Sequence, residues 1–209
     1  MKPKVIVNCA MSADGKIALP DRTEVKISGE EDFERVHKLR NSVDAILVGI
    51  GTVMADDPKL TVKEKYVDEP KQPLKVILDS KGRTPEDAQL FDRGEYLIAT
   101  TKDISKERWV KCGEGDKVDL KSLIELLNKR GIESLLVEGG GEVIYSFLKG
   151  GLVDELSIFV GSLVIGGRDA PTPADGEGAE DVGDTIELKL KSFERMDEGI
   201  LLRYKVGLK

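Results

Sequence analysis

The chain has 209 residues and a formal net charge of −7, with 40% hydrophobic and 34% charged residues. That is enough chain for a full hydrophobic core, too acidic for general nucleic-acid binding, which needs a basic footprint, and devoid of the run of about 18 apolar residues that spans a bilayer. Two distant cysteines, Cys9 and Cys112, exclude a disulfide framework and read as free thiols of a cytoplasmic protein.

The first apolar run is too short for a signal peptide, so residues 4–10 read as a strand. Asp14-Gly15 signals a turn, followed by a polar loop to Ile27. Ser28 and Glu31 have capping-box spacing, which predicts a helix start there. Phe33, Val36, Leu39 and Arg40 then recur at helical spacing as far as Ser42. His37, the only histidine, is expected to be partly exposed on that helix. Residues 44–50 are continuously apolar after Asp44, as in a strand covered on both faces. They run into Gly49-Ile50-Gly51 and a short helix ended by Asp56, Asp57 and Pro58.

Residues 66–73 read as a polar loop, and 74–78 and 96–101 as strands. Asp119 can cap a helix whose apolar face is Leu120, Leu123, Ile124, Leu126 and Leu127, with Gly131 as its left-handed end. A strand at 134–137, a helix at 143–148 and a strand at 153–160 follow. Residues 169–183, rich in Pro, Gly and acid, predict a long surface loop or lid. Residues 186–196 and 200–206 alternate around Glu198-Gly199, the signal of an antiparallel hairpin. The sum is an α/β protein: one domain over 1–209, with a mixed, mainly parallel sheet, helices on both faces and a C-terminal hairpin.

Two strands open into glycine turns, at Gly49-Ile50-Gly51 and at Glu138-Gly139-Gly140-Gly141-Glu142. Backbone N–H groups at such helix starts attract phosphate, so the pair points to a cofactor enzyme. Two ordinary strand-to-helix loops would look the same. The first turn lacks the third glycine of a dinucleotide fingerprint. Tyr145 and Lys149 match a Tyr-x-x-x-Lys pair, but no N-terminal Rossmann unit accompanies them, which makes a chance match the expectation. No His-x-Glu with Pro-Cys-x-x-Cys is present, so zinc deaminase chemistry is excluded, and no metal site is expected. Asp79-Ser80-Lys81-Gly82-Arg83 gathers a hydroxyl, an ammonium and a guanidinium beside a glycine; it can hold a phosphate or be a solvated turn. Glu138 ends a strand, where ligand crevices form in α/β sheets.

Six segments together carry a resemblance: Asn8 to Ala18 with its A-x-S-x-D-G-K pattern, Val36-His37-Lys38-Leu39-Arg40, Gly51 to Val62 with T-x-x-x-D-D-P-x-L-T, Leu78-Asp79-Ser80, Val137 to Gly141, and Gly151 to Glu155. Their order and spacing cover nearly the whole chain, which resembles the riboflavin-biosynthesis reductases of the dihydrofolate reductase-like fold. Ala174-Asp175-Gly176-Glu177-Gly178 in the late loop is similar to the stand-alone archaeal form. The resemblance implies NADPH-dependent reduction of the ribose side chain of 2,5-diamino-6-ribosylamino-4(3H)-pyrimidinone 5′-phosphate, by a homodimer. It implies NADP contacts at Ala10, Thr52, Asp56, Leu78, Asp79, Ser80, Lys81, Gly139, Gly140, Gly141 and Glu142. It places Arg40, Leu60, Lys63 and Glu138 on the substrate, with Glu138 as the candidate catalytic group. Lys63 stands where bacterial members carry Arg, and Lys26 and Glu24 where they carry Trp and Ser. A dihydrofolate reductase and a non-catalytic nucleotide-binding module are the alternative readings.

Overall fold

The computed structural model describes residues 2–207. In chain order the elements are β1 (Lys4–Ser12), α1 (Glu30–Asn41), β2 (Ala45–Gly49), α2 (Ile50–Asp56), β3 (Leu74–Leu78), β4 (Tyr96–Thr100), β5 (Trp109–Lys111), α3 (Leu120–Lys129), β6 (Ser134–Gly139), α4 (Gly141–Lys149), β7 (Glu155–Gly161), β8 (Leu188–Met196) and β9 (Gly199–Val206). The nine strands form a mixed, mostly parallel sheet ending in an antiparallel hairpin. Among the described residues no helix is long and apolar enough to cross a membrane, and Cys9 and Cys112 are free. The described residues form two compact units, one from residues 2–4 with Val36–Val137, the other from Val5–Arg35 with residues 138–207.

In the first unit β2, β3, β4 and β5 pair in parallel, with Gly49 opposite Leu78 and Leu78 opposite Ala99. All five residues of β2 are buried, which is why its sequence is unbroken apolar. The parallel register brings the C-terminal ends of β2 and β3 to one sheet edge, and with them the two turns that follow. One polar intruder sits in β3. Lys75 is fully buried, and its ammonium donates to the carbonyls of Leu90, at 2.6 Å, and Arg93. Burial lowers its pKa, with Asp92 opposing. Strand β5 escaped the sequence reading because three residues are too few to show a period.

Helix α3 begins as expected: the Asp119 carboxylate accepts from the amides of Lys121, at 2.9 Å, and Ser122, at 3.2 Å, and Gly131 follows the helix at φ 79. Asp44 does similar work before β6, taking hydrogen bonds from the amides of Glu133 and Ser134 and from the Ser134 hydroxyl.

In the second unit β1 pairs in parallel with β7, β7 antiparallel with β9, and β9 antiparallel with β8. Two expectations change here. The start of α1 is capped by Asp197, whose carboxylate accepts from the amides of Gly29, Glu31 and Asp32 at 3.0–3.1 Å. Glu31 answers by accepting from the Asp197 amide at 3.0 Å. The reciprocal capping box therefore exists, but its first partner is Asp197 rather than Ser28. The hairpin turn is Asp197-Glu198, since Met196 pairs with Gly199, and Asp197 has φ 48. Aspartate tolerates that left-handed conformation better than most side chains.

Candidate active site

In the first unit the turn after β3 is fixed from within. Asp79 is fully buried; its Oδ2 accepts from the Thr84 amide at 2.7 Å and the Thr84 hydroxyl at 2.8 Å, and its amide donates to Ala99 O. Its Oδ1 is buried without a hydrogen-bond partner among the described residues. The Ser80 carbonyl accepts from the Thr101 hydroxyl at 2.9 Å and its Oγ from the Val118 amide at 3.2 Å. With Asp79 and Ser80 so engaged, Lys81, Gly82 and Arg83 face solvent. Leu78, half-buried, sits opposite Gly49, and from there α2 carries Thr52, half-buried, and Asp56, exposed.

The D-D-P-x-L element divides its labour. Asp57 ends α2 at φ 40 and binds Gln89 through both carboxylate oxygens, at 2.8 and 3.0 Å. Leu60 is buried at φ 50, a left-handed conformation costly for a bulky side chain. Beyond it the chain is pinned to α1: Arg40 donates from Nη1 to Thr61 O at 3.3 Å, and the Lys63 amide donates to His37 Nδ1 at 3.3 Å. Arg40, Leu60 and the exposed Lys63 are thus brought together. His37 is 3% exposed and stacks on Tyr66 with ring centroids 4.7 Å apart. The expected partial exposure is wrong because Tyr66, from a loop with no periodic signal, covers the ring.

In the second unit Glu138, half-buried, and Gly139, buried, end β6. Gly140 stands before α4 at φ 74 with no side-chain cap on the helix, a conformation that favours glycine. A Cβ on Gly141 would collide with the Thr172 carbonyl and lie 2.9 Å from the Asp175 carboxylate. Glu142 is exposed, and Ala10 is half-buried in β1. Residues 163–171 are fastened in turn to the end of β1 and the loop after it. The Asp14 carboxylate accepts from the Ser12 hydroxyl at 2.6 Å and from the amides of Ile165, at 3.0 Å, and Gly166, at 2.7 Å. Lys16 donates to Ala170 O at 3.1 Å. These bonds, the Ser12 hydroxyl first, hold the Asp14 carboxyl at about 2, well below the ordinary range. The expected loop at 169–183 is therefore tied down at its start. Its Asp-Gly signal identified the turn at Asp14, but not the distant amides it serves. Lys149 pairs with exposed Glu177 at 3.4 Å.

Each unit by itself carries groups that attract phosphate. A helix start with no side-chain cap, entered through side-chain-free residues, offers backbone donors and the positive end of the helix dipole. In the first unit, exposed Lys81 and Arg83 offer cations to an anion. Among the described residues no group of three or more His, Cys, Asp or Glu could hold a metal ion.

Residues 3–202 match the family model described as the RibD C-terminal domain. The chain belongs to this family. It is 41% identical over 215 residues to the 2,5-diamino-6-ribosylamino-4(3H)-pyrimidinone 5′-phosphate reductase of Methanothermobacter thermautotrophicus, covering 99% of each. It is 40% identical to the protein of the same name from Archaeoglobus fulgidus, covering 95% of this chain and 96% of that one. Among solved structures, Acinetobacter baumannii RibD superposes with a TM-score of 0.86 at 26% identity, over 99% of this chain and 59% of that chain. The Saccharomyces cerevisiae riboflavin biosynthesis reductase Rib7 does so with 0.78 at 26% identity, over 99% and 90%. The chain is thus an oxidoreductase, and membership of this reductase family brings with it a reduced nicotinamide cofactor.

Proposed function

We propose that residues 1–209 form one cytoplasmic reductase domain that acts as a homodimer. In this reading it reduces the ribosyl side chain of 2,5-diamino-6-ribosylamino-4(3H)-pyrimidinone 5′-phosphate to the ribityl form with NADPH. The observation that carries the reading is the 41% identity over 99% of both chains to a reductase of that name. In the ring-opened substrate C1′ is an imine carbon. Reduction adds a hydride to C1′ and a proton to the adjacent nitrogen, leaving an amine. Bound NADPH supplies the hydride from its nicotinamide ring. The protein's part is to hold both partners in register and exclude water.

Arg40 and Lys63 hold the 5′-phosphate, and Leu60 shapes the wall beside them. Glu138 accepts hydrogen bonds from the substrate's amino or hydroxyl groups and assists delivery of the proton to nitrogen. The backbone from Gly139 to Glu142 takes the pyrophosphate at the start of α4. Ala10, Thr52, Asp56 and Leu78 line the cofactor, Asp79 braces the turn beside it, and Ser80, Lys81 and Arg83 receive its 2′-phosphate.

Absorbance at the NADPH band tests this directly. The diamino substrate should be reduced with a higher kcat/KM than its deaminated 5-amino-uracil analogue; equal or reversed values, or turnover of dihydrofolate instead, would overturn the reading. A charge-assisted contact is worth about 1.5–3 kcal/mol, so NADPH should be preferred to NADH by about tenfold or more. Lys81→Ala with Arg83→Ala should erase most of that margin. A preference that survives intact puts the 2′-phosphate elsewhere.

A further inference from the structure

The segment after Leu60 has no regular secondary structure from Thr61 to Tyr66, so its backbone polar groups need partners from outside it. Side chains supply them. Arg40 donates to Thr61 O. Gln72 brackets Val62, accepting from its amide and donating to its carbonyl, both at 2.9 Å. His37 accepts from the Lys63 amide, and the Tyr66 amide donates back to Lys63 O at 3.0 Å. His37 and Arg40 lie three apart on α1, hence on one helix face.

His37 is unlike the other partners in two ways. It holds the segment twice, through Nδ1 at Lys63 and through its ring face on Tyr66, with an interplanar angle of 12°. It is also the only histidine in the chain. A ring that accepts at Nδ1 carries its proton at Nε2 when neutral, so the contact fixes one tautomer.

The residue so held is Lys63, the cation read above as a holder of the substrate's phosphate. An ammonium is a point charge on a flexible stem, without the rigid fork that lets a guanidinium lock onto phosphate. Its aim therefore depends on where its backbone is anchored. We propose that His37 is a positioning residue of this reductase: its Nδ1 and ring face fix the backbone from Lys63 to Tyr66 and thereby present the Lys63 ammonium to the substrate phosphate. His37 touches neither substrate nor cofactor in this role. The proposal rests on the assignment of Lys63 to the phosphate.

Three variants separate the acceptor atom from mere bulk. His37→Asn places an amide oxygen near the position of Nδ1, His37→Gln places its polar end near Nε2, and His37→Leu keeps volume without an acceptor. The expected result is a KM for the phosphorylated substrate raised about tenfold in the Gln and Leu variants, with kcat and the NADPH Kd little changed, and largely restored in the Asn variant. The Lys63 amide, followed by NMR, should lose hydrogen-exchange protection in the Gln and Leu variants and keep it in the Asn variant. Titration with ribose 5-phosphate should shift that amide in the wild type and weaken in the same order. An Asn variant no better than Leu, equal ribose 5-phosphate binding in all four proteins, or no shift at Lys63 in the wild type overturns the proposal. So does a loss of NADPH affinity and melting temperature in parallel with KM, which is the mark of general unfolding. A wild type that fails to turn over the pyrimidinone substrate sinks the functional reading instead, and the Lys63 response to ribose 5-phosphate then decides the positioning role by itself.

Discussion

Glu138 and Asp79 are both carboxylates at strand ends, and both were expected at the site from sequence. Their surroundings differ. Asp79 is fully buried and spends one oxygen on Thr84, so its part in any cofactor contact runs through the turn it braces. Glu138 is half-buried beside the glycine turn. Glu138→Gln preserves shape and removes the charge. If Glu138 grips substrate, kcat/KM should fall by about 2–3 kcal/mol, roughly 30- to 150-fold, with the NADPH Kd nearly unchanged. Parallel losses in NADPH affinity and melting temperature would mean that Glu138 only supports the turn. His37 shows the limit of reading residues singly: nothing near it in the sequence announces the Tyr66 ring that buries it.

Helix α1 starts where the S-x-x-E signal expected, yet the partner that closes the box comes from the hairpin turn between β8 and β9. Local spacing located the helix start, but which acceptor reaches it depends on how distant elements pack. Asp197→Ala removes the acceptor of three helix-start amides and should cost about 1–2 kcal/mol, the usual range for a lost N-cap. Ser28→Ala should stay within about 0.5 kcal/mol of wild type. Urea denaturation of the two variants compares them, and the opposite order would return the cap to Ser28. Helix α3 offers the contrast: its cap, Asp119, is adjacent in sequence and formed as expected.

At the scale of the molecule, Leu188, Leu190, Phe193 and Ile200 gather exposed apolar surface on the hairpin. Eight of the nine residues of β8 are exposed, with Phe193 at 72% and Leu190 at 49%, and Ile200 of β9 is at 46%. The bulge at Lys191 matters here. Leu188 pairs with Val206 and Leu190 with Tyr204, but after the bulge Phe193 pairs with Leu202. Without the extra residue Phe193 would point to the other face. The bulge gathers Leu188, Leu190 and Phe193 on the side of Ile200, Leu202 and Tyr204. An exposed apolar face on an edge hairpin invites association, and a second copy of the chain is the proposed occupant. Light scattering at micromolar concentration should give a dimer, and Leu190→Glu with Phe193→Glu should give a monomer. A monomeric wild type would remove the dimer reading.

The sequence by itself determined the features that rest on neighbours along the chain. These are the buried run of β2, the Asp119 cap, the hairpin alternation, the glycine turns, and the motif order that marks the family. Each is a local interaction or a periodicity, and so leaves a pattern in adjacent letters. Tertiary structure decided the rest. It chose Asp197 as the cap of α1, turned Asp79 inward, stacked Tyr66 on His37, and fastened residues 165 and 166 to Asp14. In those cases a polar group was certain to need a partner, but the partner lay far away in sequence. Only the packing of the whole chain could bring a particular one within hydrogen-bond reach.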